Sequence, residues 1–271
     1  MIIFPNAKIN IGLNIVEKRP DGYHNIETLF YPIPLKDALE IVPSNDQKHS
    51  FHSYGIPIEG DPDKNLVMKA LRLLEKDFHI PRLEIHLEKA IPFGAGLGGG
   101  SADAAFMLKM LNEFLNLNLP DSQLKYYASK IGADCSFFIR NKPAFASGIG
   151  DILEPVELSL KGYFLVLIKP DIHISTPEAY SLVSPHKPEF SIKEWIKKPV
   201  KEWKNGIVND FEKNIFAKYP AIAEIKEQLY DKGALYASMS GSGSSVFGIF
   251  DKQVDFIEDF KEDYVFQNEL N

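Results

Sequence analysis

The chain has 271 residues, 45% of them hydrophobic and 25% charged, and a formal net charge of −7. That length can bury a full core as one large domain or two modest ones, and the acidic balance, with no basic stretch, excludes a basic face that tracks nucleic-acid backbones. A single cysteine, Cys135, excludes an internal disulfide framework and a multi-cysteine zinc site, and it fits a reducing cytoplasm.

The N-terminal "MIIFPNAKINIGL" is interrupted by Asn6, Lys8 and Asn10, so it reads as neither a signal peptide nor a transit peptide. Within it, "AKINIGLNIV" alternates strictly, Ile9, Ile11, Leu13 and Ile15 on one face against Lys8, Asn10, Gly12 and Asn14 on the other. Period two predicts a half-buried strand with a polar outer row. "RPDGY" (19–23) supplies turn residues in good order, and "YHNIETLFYPI" returns, so residues 1–33 are expected to form a long hairpin. "NLVMKALRLLEKDF" (65–78) has helical period, with Asn65 placed as an N-cap. "RLEIHLEKAIP" (82–92) alternates as a strand and runs into "PFGAGLGGGSADAA" (92–105), which puts five glycines into seven positions.

After that stretch a helix is predicted over "SADAAFMLKMLNEFLNL", capped by Ser101, and another over 121–132, closed by Gly132. The longest apolar run, "YFLVLI" (163–168), is far short of the roughly 20 residues of a membrane span and suits a buried strand. "STPEAY" (175–180) opens a helix with Pro177 in its first turn. The segment 193–204, "KEWIKKPVKEWK", reads as a solvated helical region. Helices are expected near 205–217 and 220–232, then strand, Gly/Ser loop and strand over "LYASMSGSGSSVFGIF" (235–250), and a last short helix. Mixed strands and helices with antiparallel hairpins predict an α+β fold.

The glycine stretch admits three readings. A bare strand-to-helix turn needs only one or two glycines. Gly94, Gly96 and Gly99 satisfy the G-x-G-x-x-G of dinucleotide sites, but no acidic residue ends a following strand about 20 positions on. A phosphate cradle uses bare backbone N–H groups and the positive end of the following helix. No Gly-Lys-Ser/Thr follows, so this is not a Walker A loop.

"PFGAGLGGGSADAA" resembles the phosphate-binding motif of the galactokinase, homoserine kinase, mevalonate kinase and phosphomevalonate kinase (GHMP) superfamily. "PNAKINIGLNI" and "SMSGSGSSVFGIF" resemble its N-terminal and C-terminal motifs, in the same order. "AKINIGLNIVEKRPDGYHNIETLF" and "KIGADCSFFI" are similar to the branch that acts on 4-diphosphocytidyl-2-C-methyl-D-erythritol in the non-mevalonate isoprenoid route. The resemblance implies a two-lobed fold with the active site in the cleft between lobes. Residues 1–150 would be the ATP-binding domain, its first hairpin shared with the cleft, and 151–271 the substrate-side domain.

It further implies ATP as co-substrate, with Mg²⁺ whose ligands the sequence leaves unassigned, and transfer to the 2-hydroxyl of a cytidine-diphosphate small molecule. Lys8 and Asp134 would be catalytic, Asp134 as general base and Lys8 beside it, since a nearby ammonium keeps a carboxylate ionised. Pro92, Phe93, Gly94, Ala95, Gly96, Leu97, Gly98, Gly99, Gly100, Ser101 and Ala102 would bind ATP, with Asn65 near the adenine. Tyr23 would stack on cytosine, His24 would bond its edge and Tyr180 would close the sandwich. Asn10 and Thr176 would orient the substrate, and Gly241, Ser242 and Gly243 would close on its phosphates. Each role has an ordinary counterpart: a turn aspartate, a solvated strand lysine, helix caps at Asn65 and Thr176, a Ser/Gly hairpin turn. Cys135 and Ser136 stand where the family commonly has Val-Pro, and Cys135 reads as buried packing. Another small-molecule kinase of the superfamily and a non-catalytic nucleotide-binding protein are the alternatives. The expectation is a cytoplasmic enzyme with no membrane or nucleic-acid partner, its oligomeric state open.

Overall fold

The alternating N-terminal sequence forms the strand Asn6–Lys18, which turns and comes back as His24–Lys36. Gly22 makes the turn possible with φ +88, and the Asp21 carboxylate accepts from the Tyr23 N–H at 3.1 Å. In the computed structural model, which describes residues 1–58 and 60–270, the mixture of strands and helices is α+β, as the sequence predicts. Two compact units interleave along the chain. One comprises Met1–Ala7, Leu35–Phe93 and Gly98–Lys142, the other Lys8–Pro34, Gly94–Leu97 and Pro143–Asn271.

In the first unit, Ile2–Ile3, Ala38–Pro43, Leu83–Lys89 and Ser50–Gly55 lie side by side in that order, the last pair parallel. Leu66–Glu75 buries Val67, Met68, Ala70, Leu71 and Leu74, a stripe at helical spacing that packs on Gly99–Phe114. The latter helix also packs on Asp121–Ser129 and Cys135–Arg140. Cys135 is fully buried, as the sequence suggests. The helix predicted to close at Gly132 stops at Ser129, with Lys130 as a right-handed C-cap; the Gly132 N–H still bonds the Ala128 carbonyl at 3.2 Å.

Beneath the helix Gly99–Phe114 lies a buried ionic cluster that pattern reading missed. The Lys89 ammonium donates to Asp37 and, at 2.8 Å, to Asp103 Oδ2, all three side chains being almost wholly buried. Asp37 Oδ1 also accepts from the N–H groups of Ala90 and Ile91, at 2.7 and 2.9 Å. Asp103 Oδ1 has no partner, and burial, reinforced by Asp37 and opposed by Lys89, pushes this carboxyl up to about 7. Two carboxylates sharing one ammonium out of water cannot both keep full charge cheaply.

The second unit holds two sheets: Asn6–Lys18, His24–Lys36, Ala144–Ser147 and Ile152–Pro155 in one; Tyr236–Met239, Val246–Phe250, Phe164–Lys169 and Tyr264–Glu269 in the other. The last of these strands stands where a final helix was predicted; its half-buried residues pair antiparallel with Phe164–Lys169, a long-range ladder that local periodicity does not reveal. The helix expected over 205–217 begins only at Glu212, because Gly206 and a turn at Asn209 break the segment before it. The Trp-containing segment at 193–204 is not simply solvated, since Trp203 is 1% exposed. The row Lys8, Asn10 and Asn14, expected to be the wet face of its strand, is buried too, at 3%, 2% and 4% exposure.

Replacing Lys89 with Met leaves two carboxylates buried without a cation and is expected to cost about 3–5 kcal/mol in chemical denaturation. Asp103 has a folded-state value above its ordinary 3.8, so folding takes up a proton between about pH 4 and 7 and this stabilisation is lost as pH rises through that window. Asp103→Asn should flatten that slope in denaturation curves at pH 5 and 8. The Cys135 thiol, pushed by burial from 9.0 to about 11, should react with alkylating reagent about 100-fold more slowly than a free thiol, and at the free rate once the chain is unfolded.

Candidate active site

A polar network in the second unit is built on the strand Asn6–Lys18. The Lys8 ammonium donates to Asn10 Oδ1 at 2.6 Å and to the Gly96 carbonyl at 3.0 Å, and lies 5.0 Å from the centre of the Phe30 ring. The Lys8 N–H also bonds the Leu97 carbonyl at 3.0 Å. Asn10 Nδ2 donates to Thr28 Oγ1 at 2.9 Å, and the Thr28 hydroxyl donates in turn to the Gly12 carbonyl. The Asn10 N–H donates to Ser240 Oγ at 3.1 Å, while Ser240 Oγ donates to Gly96 O at 2.9 Å. Hence Lys8, Asn10, Gly96 and the edge of the C-terminal glycine turn come together, and a buried ammonium is compensated by oxygen acceptors.

Glycine is required at 96. Its φ is +73, and a β-carbon there would lie 1.9 Å from the Ser240 carbonyl oxygen. A β-carbon on Gly241 would fall 3.2 Å from Asn10 Oδ1. The turn Gly241–Gly243 is held from behind by residues the sequence reading did not single out. Asn209 Nδ2 donates to the carbonyls of Met239 and Gly241, both at 2.8 Å, and Asn209 Oδ1 accepts from the Phe211 N–H at 3.0 Å. The Glu212 carboxylate accepts from Ser238 Oγ, the Met239 N–H and Lys226. A polar "ND" inside an otherwise apolar stretch was the available signal.

The glycine stretch itself carries positive φ at Gly94, Gly96 and Gly98. Gly98, left-handed and with no side-chain bond, is the N-cap of Gly99–Phe114, so Ser101 sits within the first turn and is not the cap. A glycine cap leaves the first-turn N–H groups of Gly99, Gly100 and Ser101 uncompensated by any capping side chain, the arrangement that accepts an anion. Ala102 already bonds back to the Gly98 carbonyl at 2.9 Å. Pro92 and Ala95 are buried, and Phe93 is exposed 5.0 Å from the Lys89 ammonium.

In the first unit, Asp134 takes helical dihedrals immediately before Cys135–Arg140 and makes no capping bond from its side chain. Cys135 and Ser136 open that helix. Asn65 is an N-cap, its Oδ1 accepting from Val67 N–H at 2.9 Å.

Back in the second unit, the His24 and Tyr180 rings stack with centroids 4.8 Å apart and planes at 21°, and Tyr180 meets Phe211 edge-on at 5.0 Å. Burial, then Lys18, holds the His24 imidazole below its ordinary value. Tyr23 is 60% exposed at the hairpin end. The helix Thr176–Ser181 is capped by Ser175, whose Oγ accepts from Glu178 N–H, which leaves Thr176 at the first helical position outside the cap. Ser242 lies in the turn between the strands Tyr236–Met239 and Val246–Phe250. Among the described residues no group of three or more His, Cys, Asp or Glu could hold a metal ion, and no helix is long and apolar enough to cross a membrane.

Family models for the GHMP kinases N terminal domain and the GHMP kinases C terminal match residues 65–142 and 192–264. The chain is 62% identical to a 4-diphosphocytidyl-2-C-methyl-D-erythritol kinase of Bacteroides fragilis over 100% of both chains. It is 42% identical to the kinase of that name from Chlorobium limicola, over 92% of this chain and 88% of the relative. A crystal structure of 4-(cytidine 5'-diphospho)-2C-methyl-D-erythritol kinase aligns with TM-score 0.82 at 29% identity, covering 98% of each chain. The Methanococcus jannaschii mevalonate kinase shares the fold at TM-score 0.73 and 15% identity, over 100% of this chain and 98% of its own. The chain belongs to the GHMP kinase family, among its 4-diphosphocytidyl-2-C-methyl-D-erythritol kinases.

Proposed function

We propose that the protein transfers the γ-phosphoryl group of ATP to the 2-hydroxyl of 4-diphosphocytidyl-2-C-methyl-D-erythritol, in the cytoplasm. The observation that carries this reading is 62% identity along the whole chain to a kinase named for that substrate. The stacked His24–Tyr180 pair adds physical support, since an aromatic platform with a ring nitrogen beside it suits a pyrimidine base.

In this reading the glycine stretch from Pro92 to Ala102 binds the triphosphate through backbone N–H groups and the helix end. Asp134 accepts the proton of the 2-hydroxyl as that oxygen attacks. Lys8, already oriented by Asn10 and Gly96, offsets charge on the transferring phosphoryl group. Tyr23, His24 and Tyr180 hold cytosine, Asn10 and Thr176 orient the erythritol, and Gly241, Ser242 and Gly243 meet the diphosphate. Asn65 lies near the adenine in addition to capping its helix. The described residues offer no protein cage for a metal, so Mg²⁺ would arrive with the nucleotide, bound chiefly by phosphate oxygens, and would neutralise their charge.

Phosphoryl transfer passes through a loose transition state, so position and electrostatics outweigh base strength. Steady-state ADP release with Mg-ATP should occur with the cytidyl substrate and not with mevalonate or galactose. Turnover of mevalonate alone would reject the cytidine reading and leave the family assignment standing. Asp134→Asn should lower kcat by about 10²- to 10⁴-fold at unchanged melting temperature. Tyr180→Ala should raise KM for the cytidyl substrate by a factor of about 5 to 150, the equivalent of one lost base stack, with KM for ATP unmoved; an equal rise in both would argue against a base platform.

A further inference from the structure

The segment just before the helix Thr176–Ser181 is pinned at two points. Ser244 Oγ donates to the Ile172 carbonyl at 2.6 Å, and Ile174, 2% exposed, packs in the core with Met239 and Val246. Its Cδ1 would touch a β-carbon on Gly243 at 3.2 Å. Between these anchors His173 is held against the glycine stretch. A β-carbon added to Gly94 would lie 2.8 Å from both Cε1 and Nδ1 of its ring. The φ of +58 favours glycine at 94, and the imidazole lies in the space that a side chain there would take. The ring nevertheless remains exposed to solvent.

We propose that His173 is a phosphate-binding residue: a ring N–H donates a hydrogen bond to a phosphoryl oxygen of the ligand that approaches the backbone at Gly94–Leu97. Either neutral tautomer carries one N–H donor and the imidazolium two, so a ring donor is present in every protonation state. A side chain that served only to fill space would be buried. This one lies beside bare backbone with its edge open, at a position outside the family motifs. The inference rests on the glycine stretch as a phosphate cradle. The phosphoryl oxygen could belong to the triphosphate of ATP or to the diphosphate of the cytidyl substrate.

Calorimetric titration of wild type, His173→Ala and His173→Gln separates the two. The probes are Mg²⁺ with a non-hydrolysable ATP analogue, cytidine 5′-diphosphate, and the nucleosides adenosine and cytidine. The expected result is a roughly tenfold weaker affinity of His173→Ala for one or both phosphate-bearing probes, the loss of one hydrogen bond to a charged group. Nucleoside binding and the melting temperature should hold, and His173→Gln, which keeps an N–H donor, should recover most of the loss. Unchanged affinity for both phosphate-bearing probes overturns the proposal, as does an equal weakening of nucleosides, or a wild type that binds neither phosphate-bearing probe. Because binding is read and not turnover, the predicted loss in a protein that fails to phosphorylate the cytidyl substrate would reject the proposed reaction and keep His173 in its role.

Discussion

The carbonyl oxygen of Gly96 accepts two hydrogen bonds, from the Lys8 ammonium and from the Ser240 hydroxyl, and the polar chemistry of the second unit is arranged around that double contact. An ammonium that is 3% exposed needs acceptors. Gly96 supplies one and Asn10 another, and Asn10 is fixed in turn by Thr28 and Ser240. Each of these groups is a donor or acceptor for the next, so the lysine is held in one place before any ligand arrives. Preorganisation of this kind is what electrostatic stabilisation of a transferring phosphoryl group requires, because charge need not be reorganised during the reaction.

Support continues one layer further out. Asn209 spends both amide hydrogens on carbonyls of the C-terminal glycine turn, and Glu212 accepts from the adjoining strand. Backbone rich in glycine has little stiffness of its own, so its shape is set by side chains that grip it from outside. In the first unit the same task falls to Lys89, Asp37 and Asp103. Asp37 ties down the two residues after the strand Leu83–Lys89, and Asp103 lies in the early part of the helix that follows the glycine stretch.

Much of the fold was legible because it is written in apolar periodicity. Ile9, Ile11 and Ile15 are fully buried, and the stripe on Leu66–Glu75 faces inward, as their spacing predicts. What periodicity could not supply was the partner of a polar face. Lys8 and Asn10 read as a wet row because Ser240 lies some 230 residues away in the chain. The strand Tyr264–Glu269, found where only a last short helix is expected, escapes a local reading for the same reason, its ladder partner being Phe164–Lys169. Motif resemblance points to Lys8, Asn10, Gly96 and Gly241, which the fold brings together, whereas Lys89 and His173 carry no local signature. Gly98 displaced Ser101 as the helix cap because a left-handed turn precedes the first helical residue, and the general preference for serine at caps does not register that geometry.

The Lys89 cluster also has an evolutionary consequence. Its three side chains share one buried network, so the effects of replacing them are strongly non-additive. Removing Lys89 strands carboxyl groups in the interior without a cation, whereas exchanging all three for well-packed apolar groups of matching volume can be close to neutral. The path between those two acceptable states runs through poorly folding intermediates. Drift in this lineage is therefore expected to hold residues 37, 89 and 103 together as one inherited character, lost or kept as a unit, while the apolar positions around them change one at a time.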